Sequence, residues 1–225
     1  MKVIFLDIDG VIQPLGKQER FEHIDEIETL AKELDAKFPG HSYYDYVTMD
    51  TYLGSFQSAN SRKCNLGAVY FDWSKDAVNY LKEVLEEYDA KIVISSDWRE
   101  QGEPTVRAFL AIYDMEKYFY GMLDGISYLP PTERQERARN YFLSLRKNYE
   151  PYDVRAADIR DYLDVHPEIT AYVAIDDLDL GFPVLGHFVH CNAGVIDNGK
   201  CLQMKEIIDI EDGPYKIRDI SQQKQ

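Results

Sequence analysis

The sequence predicts an α/β protein in which helices cover both faces of a doubly wound, mostly parallel, Rossmann-like sheet. Two features carry this prediction. Short continuous apolar runs alternate along the chain with longer segments in which apolar residues recur at helical spacing. Continuous apolar runs are typical of parallel strands covered on both faces, and the longer period is that of amphipathic helices. The 225 residues suffice for one large domain, with or without insertions.

Four apolar runs are predicted as buried strands, because each is too short for a helix of ordinary length. They cover residues 2–6, 91–94, 171–175 and the neighbourhood of 187–190. Helical segments lie between most of them, so the strands are expected to pair in parallel through helical crossovers.

Four further segments have the periodicity of helices. Residues 24–38 carry one apolar stripe and are followed by a Pro-Gly pair at 39–40, which terminates helices. Ser74 is predicted to cap the next helix. Two more helices are expected around residues 105–113 and 155–163.

Two segments are predicted as insertions into this core. Residues 13–68 would form a small cap insertion, in which the stretch 41–68 is irregular, and residues 131–152 a second, helical one. Aromatic side chains of the first insertion either stack on a base or sugar or form a satellite core under a long loop. These side chains are Tyr43, Tyr44, Tyr46, Tyr52 and Phe56.

Polar side chains follow three of the predicted strands, at the carboxyl end of each. In an open α/β sheet the ligand crevice lies at those ends, so the three groups are expected to converge in one cleft. Strand alternation places the two aspartates after the first strand on the same side. The groups are Asp7 and Asp9 after the first strand, Ser95 and Ser96 after the second, and Asp176 and Asp177 after the third.

This set of side chains suits phosphoryl transfer. Converging carboxylates repel one another unless a cation neutralises them, and all-oxygen ligation suits Mg²⁺. One carboxylate can attack phosphorus to form an aspartyl-phosphate, while a second protonates the leaving oxygen and later deprotonates water. Gly10 permits a close approach of the ligand, and the Ser95 hydroxyl can hold a phosphoryl oxygen. A fixed cation would complete the site.

The motifs, taken in order, resemble those of the haloacid dehalogenase (HAD) superfamily of phosphohydrolases. DIDGV at 7–11 resembles its motif I, Ser95 matches its motif II, and the aspartate pair after VAI resembles its acidic motif IV. More narrowly, IVISSDWR at 92–99 and the segment 155–177 resemble the HAD domain found with Swiss-Army-knife RNA repair proteins. The resemblance implies a single HAD-like domain over residues 1–225 with a Rossmann-like core.

The resemblance also implies a role for each residue. Asp7 would be the nucleophile and a metal ligand, and Asp9 would be the general acid and base, with its backbone carbonyl on the metal. Asp176 would ligate Mg²⁺, and Asp177 would ligate the ion or position a metal-bound water. The phosphate-binding residues would be Ser95, Ser96, Gly10 and Arg155.

The cation of motif III has several candidates. It is usually a lysine in the superfamily, and the matching position here is Arg155, at the start of a predicted helix whose dipole favours a nearby anion. Arg99, Arg139 and Lys147 are alternatives that remain open. Trp98, beside one of these, is interpreted as a packing residue.

The composition limits which partners the protein can bind and in which cellular compartment we expect it. The net charge of −15 argues against a non-specific nucleic-acid or membrane-surface binder, although it does not exclude a local basic pocket. The cysteines, at positions 64, 191 and 201, form neither a disulfide framework nor a metal-binding spacing. No apolar run approaches the length of a bilayer span, and no secretory signal is apparent at the N-terminus. We therefore expect a cytoplasmic protein without a membrane partner.

Three functions agree with these observations. The first is a Mg²⁺-dependent phosphatase acting on a small phosphomonoester, such as a nucleotide or sugar phosphate. The second is a polynucleotide end phosphatase, which the RNA-repair resemblance suggests and the acidic composition disfavours. The third is a non-enzymatic module that binds a phosphorylated ligand, which the intact acidic set disfavours.

Overall fold

A computed structural model of the chain describes residues 1–49, 59–123, 136, 140, 152–181, 184, 186–192 and 194–212. The strands are β1 (Lys2–Leu6), β2 (Lys91–Ile94), β3 (Phe119–Met122), β4 (Ala171–Asp176) and β5 (Phe188–His190). They form one parallel sheet in the order β3-β2-β1-β4-β5. The predicted α/β class and the parallel, doubly wound sheet are confirmed. Strand β3, at one edge, was not predicted.

The α-helices lie between and around these strands. They are α1 (Ile27–Lys37), α2 (Tyr43–Thr48), α3 (Ala59–Gly67), α4 (Lys75–Tyr88), α5 (Glu103–Ala111), α6 (Tyr152–Val165) and α7 (Asn198–Asp212). A π-helical turn covers Ala68–Asp72, and 3₁₀ turns cover Glu19–Phe21, Ile24–Glu26, Asp97–Gln101 and Glu116–Tyr118. Among the described helices, none is both long and apolar enough to cross a lipid bilayer.

Strand β1 lies in the middle of the sheet, and its side chains enter two separate cores. Ile4 and Leu6 belong to a large core that also contains residues of α1, α4 and α7. Val3 and Phe5 belong to a smaller core on the other face, together with residues of α6. Side chains alternate along a strand, so a continuous apolar run is needed to fill both cores.

Helix α4 begins and ends as its sequence indicates. The Ser74 hydroxyl accepts a hydrogen bond of 3.3 Å from the backbone N–H of Ala77, which confirms the predicted cap. Val78, Leu81 and Leu85 are buried on one face. Asp89 ends the helix in the left-handed conformation, with φ of 46°.

The prediction that residues 41–68 are irregular is wrong for α2 and α3, which are helical. Helix α2 begins where the Asp35 carboxylate, at the end of α1, accepts hydrogen bonds from the backbone N–H groups of Tyr43 and Tyr44, at 2.6 and 3.1 Å. The cap of α2 therefore comes from a residue of α1. Local sequence patterns do not reveal a cap that another helix supplies.

The predicted insertions are only partly covered by the structure. Tyr43 is buried in the large core, and its hydroxyl donates to the backbone carbonyl of Ala108 at 2.6 Å. Tyr44 and Tyr46 pack against the same core. Tyr52, Phe56 and nearly all of the segment 131–152 lie outside the described residues. A cap formed by residues 13–68 stays a prediction.

Candidate active site

Pairing of β1 with β4 brings two of the predicted carboxylates together. Leu6 lies opposite Ile175 in the parallel ladder, and the backbone N–H of Asp7 donates to the Ile175 carbonyl at 3.0 Å. Asp7, Asp176 and Asp177 each place a carboxylate oxygen within 4.8 Å of the others. The convergence expected at the carboxyl edge of the sheet is therefore present for these side chains.

Arg155, on α6, lies between two of these carboxylates. Its Nη1 atom is 2.7 Å from Asp176 Oδ2 and 3.3 Å from Asp7 Oδ1. Its side chain is 14% exposed, so solvent screens these contacts only partly. Arg155 thus lies beside the carboxylate of Asp7, and its contact with a phosphate stays a prediction.

The alternative cations are placed differently. The guanidinium of Arg99 donates from Nη1 to the backbone carbonyls of Ser95 and Ser96, at 2.7 and 3.0 Å. Those bonds stabilise the turn after β2. Arg139 and Lys147 lie outside the described residues. Among the candidates whose contacts the structure describes, Arg155 is the one paired with Asp7.

The gathered carboxylates carry more negative charge than the arginine offsets. Burial and the neighbouring Asp176 raise the pKa of Asp7 to about 8, although Arg155 and a hydrogen bond from the Ser96 side chain act in the opposite direction. Burial also raises the pKa of Asp176, against the effect of Arg155. Without a further cation, the ionised forms of these carboxylates are therefore disfavoured. This donor set, made only of oxygen atoms, fits a divalent cation such as Mg²⁺.

Both carboxylate oxygens of Asp9 are held by neighbouring side chains. The indole N–H of Trp98 donates to Oδ2 at 2.9 Å, and the Gln13 amide donates from Nε2 to Oδ1 at 2.8 Å. Burial raises the pKa of Asp9, and the bond from Trp98 opposes that shift. The Asp9 carboxylate lies outside the cluster of the other three, and a metal contact through its backbone carbonyl stays a prediction.

Trp98 and Gln13 are two site residues that sequence reasoning missed. Trp98 does pack, with its ring centroid 6.1 Å from Trp73 and 5.8 Å from Phe109. The interpretation as a packing residue was incomplete, because its N–H also orients a carboxylate 89 positions earlier in the chain. Gln13 lies four residues after Asp9. The sequence could have indicated this contact only through a tight turn after motif I, which would bring the two side chains together.

Gly10 lies close to Asp177, whereas the predicted approach was to a ligand. Its φ is +74°, and a Cβ atom there would lie 2.5 Å from the Cβ of Asp177. Glycine therefore allows the chain after β1 to pass against the acidic pair after β4. The backbone N–H of Gly10 donates to the Gln13 carbonyl at 2.7 Å, and a phosphate contact by Gly10 stays a prediction.

The two serines lie at the end of β2, next to β1. The backbone N–H of Ser95 donates to the Leu6 carbonyl at 3.0 Å, which extends the ladder into the site. Ser96 caps the following 3₁₀ turn, where its hydroxyl accepts from the backbone N–H of Trp98 at 3.4 Å. Both serines are 1% exposed, and their contacts with phosphate stay predictions.

A parallel α/β sheet with acidic residues after β1 and β4 is the arrangement expected of the HAD class. The family model for the HAD domain in Swiss Army Knife RNA repair proteins matches residues 3–195, and the chain belongs to this family. No curated protein matches the sequence. Membership confirms the resemblance drawn from the motifs and indicates, in general terms, a phosphohydrolase.

Replacement of Gly10 by alanine should destabilise the protein. The new Cβ would meet Asp177 and would sit on a left-handed backbone, so we expect the free energy of unfolding to fall by more than about 1 kcal/mol. Denaturant unfolding measures the change. Gly16→Ala is the control, because no atom lies within 4 Å of a Cβ at that position. Equal stabilities of the two variants would contradict the contact.

Proposed function

We propose that the protein is a Mg²⁺-dependent phosphatase that hydrolyses small phosphomonoesters, such as a nucleotide or sugar phosphate, through an aspartyl-phosphate on Asp7. The observation that carries the proposal is the meeting of Asp7, Asp176 and Asp177 around Arg155 at the carboxyl edge of the sheet. Membership of a HAD family supports the same class of reaction.

The three clustered carboxylates would hold the metal. They offer oxygen ligands close together in a largely buried place, and Arg155 pairs with only two of them. When bound, Mg²⁺ would keep Asp7 ionised and would reduce the repulsion between the carboxylates and the phosphoryl group. The backbone carbonyl of Asp9 is a further proposed ligand.

Each side chain of the site then has a separate role in the reaction. A carboxylate oxygen of Asp7 attacks phosphorus, and the bond between phosphorus and the leaving oxygen breaks as Asp9 transfers its proton to that oxygen. In the second step Asp9 takes a proton from water, the water oxygen attacks phosphorus, and the bond to Asp7 breaks. The products are an alcohol and inorganic phosphate. Arg155 and the serine hydroxyls would bind the phosphoryl oxygens.

A polynucleotide end phosphatase is the second candidate, and the family description favours it, since the family occurs in RNA repair proteins. The net charge of −15 opposes it, because a polynucleotide is bound through positive charge. A module that only binds a phosphorylated ligand would need neither a buried nucleophile beside a cation nor an oriented second carboxylate.

Binding of Mg²⁺ should release a proton at pH 7. Asp7, with its pKa raised to about 8, holds a proton in the metal-free protein, and an ion can bind only the ionised carboxylate. Calorimetric titration in two buffers with different ionisation enthalpies should therefore give different heats, corresponding to about one proton per ion. Tighter binding at higher pH should accompany this release.

Two variants test whether the proton comes from Asp7. Asp7→Asn should remove the proton release, whereas Asp25→Asn, which changes an exposed carboxylate, should retain it. Equal heats in both buffers for the unmodified protein, or no binding of Mg²⁺ at all, would contradict the proposed metal site.

Replacement of the two aspartates should give different kinetic defects. Asp7→Asn should abolish turnover and phosphoenzyme formation, since an amide lacks the nucleophilic charge. Asp9→Asn should slow the reaction by about 10²- to 10⁴-fold, the usual contribution of general acid–base catalysis. Rapid-quench trapping measures phosphoenzyme formation in both. In Asp9→Asn, phosphoenzyme formation should be slowed less with p-nitrophenyl phosphate than with other substrates, because its leaving group needs little protonation. Phosphate attached to Asp9 would reverse the assignment.

Trp98→Phe should slow phosphoenzyme formation by roughly 10- to 100-fold with alkyl phosphates, because small misplacements of a catalytic group are costly. The indole N–H that holds Asp9 is lost, while most of the aromatic packing is kept. Rapid-quench measurements should show a smaller effect with p-nitrophenyl phosphate. Trp73→Phe is the matched control, because the Trp73 indole N–H has no hydrogen-bond partner among the described residues. If phosphoenzyme formation were slowed equally in the two variants, Trp98 would contribute only through its packing.

A further inference from the structure

A cavity of about 320 Å³ opens beside Asp9. Its wall is formed by the turn after β1, the 3₁₀ turn Glu19–Phe21, α3 with the residue that follows it, and the turn after β2. Asp9 is the proposed proton donor to the leaving oxygen, so the group attached to that oxygen must lie next to Asp9. The cavity is therefore the place for the leaving group of the substrate.

The charges of the wall disfavour a second anionic group. Arg20 is the one cation among the residues that line the described cavity, and its Nη1 atom lies 2.6 Å from Oδ2 of Asp72, which is fully buried. The carboxylates of Asp9 and Asp97 also line the cavity. Asp97 Oδ1 lies 3.5 Å from Arg99 Nη2 and 3.8 Å from Arg155 Nη2. With Arg20 already paired, the described wall offers no unpaired cation to a second phosphate, which would lose its hydration without a charge partner.

The wall instead offers carboxamides, which both donate and accept hydrogen bonds. The Asn65 amide donates from Nδ2 to Gln101 Oε1 at 3.2 Å, and the Tyr46 hydroxyl donates to the same oxygen at 2.7 Å. These bonds fix the two carboxamides. Gln13, which is 7% exposed, has a carboxamide oxygen with no hydrogen-bond partner among the described residues. A ligand with neighbouring donors and acceptors would satisfy this wall, as the edge of a nucleobase does.

An exposed aromatic ring completes the cavity. Phe21 lines it and is 51% exposed, with the guanidinium of Arg20 lying 5.0 Å from its ring centroid. Trp98 lines it as well. Aromatic faces of this kind bind planar bases by stacking and do so without a charged partner. A sugar can also pack on an aromatic ring, but it lacks the planar π face of a base.

We infer that the substrate is a nucleoside monophosphate, with its phosphate at Asp7 and its nucleoside in this cavity. The inference rests on the proposed phosphatase activity and narrows its substrate class. The volume of about 320 Å³ lies at the small end of the range of roughly 300–1,000 Å³ for ligand sites, which suits a single nucleoside. A polynucleotide would bring further phosphates against a wall whose described residues offer them no unpaired cation.

Steady-state kinetics with Mg²⁺ test this inference on defined substrates. They are p-nitrophenyl phosphate, a panel of purine and pyrimidine nucleoside 3′- and 5′-monophosphates, a nucleoside 3′,5′-bisphosphate, hexose phosphates and an oligonucleotide with a terminal phosphate. We expect at least one nucleoside monophosphate to have a kcat/KM about tenfold or more above the values for the bisphosphate, the sugar phosphates and the oligonucleotide. A site that hydrogen-bonds one substrate discriminates in this way against compounds that cannot form the same bonds.

Variants of residues that line the cavity test whether the preference for a nucleotide arises there. In Asn65→Leu, the ratio of kcat/KM for the preferred nucleotide to that for p-nitrophenyl phosphate should fall by about tenfold, since a hydrogen-bonding wall is lost. Phe21→Ala, at a position that is 51% exposed, should lower the same ratio, mainly through KM. Asn79→Leu, at an exposed position of α4, is the matched control and should leave the ratio unchanged.

The outcomes separate this inference from the proposal on which it rests. Hydrolysis of p-nitrophenyl phosphate with a preference for a sugar phosphate, the bisphosphate or the oligonucleotide would overturn the inference and leave a phosphatase. An unchanged ratio in both wall variants would overturn it as well. Hydrolysis of none of these compounds would overturn both.

Discussion

The site depends on one electrostatic constraint: three carboxylates meet at the ends of two paired strands, and one arginine pairs with two of them. Ionised groups in a largely buried place are costly unless they are paired, and removing one partner leaves the others uncompensated. Asp7 and Asp176 come together because β1 and β4 are hydrogen-bonded neighbours, and Arg155 reaches them because α6 packs against the same end of the sheet. The pKa of Asp7 is raised because Arg155 compensates the buried carboxylates only in part, and a divalent cation would complete the compensation.

The second carboxylate of motif I is held in a different way, which agrees with the different roles proposed for Asp7 and Asp9. The Trp98 indole and the Gln13 amide hold the two oxygens of Asp9, Arg20 and Arg155 act on it only electrostatically, and a cavity opens beside it. Neutral donors orient a carboxylate without fixing its charge, so the group can still exchange a proton. The turn after β2 thus contributes to the site through Trp98 as well as through its serines.

Sequence reasoning failed where a segment depends on distant partners. Strand β3 has the sequence FYGM, is only partly buried and contains Gly121, whose Cβ position would lie 2.7 Å from the Tyr162 hydroxyl. Neither periodicity nor propensity marks so short an edge strand. Helix α2 has six residues and depends on the Asp35 carboxylate of α1 for its first N–H groups. Isolated helices of that length are not stable, so local sequence did not predict it.

By itself the sequence determined the strands that pair at the centre of the sheet and the acidic and hydroxyl residues at their carboxyl ends. It could do so because continuous apolar runs and the polar residues that end them are local signals. Tertiary structure alone decided which cation faces Asp7, what holds Asp9 and what lines the cavity beside it. Those contacts join residues as far apart as Asp9 and Trp98, or Arg20 and Asp72. Only the packing of helices and turns around the sheet brings such pairs within hydrogen-bonding distance, and no local pattern encodes that distance.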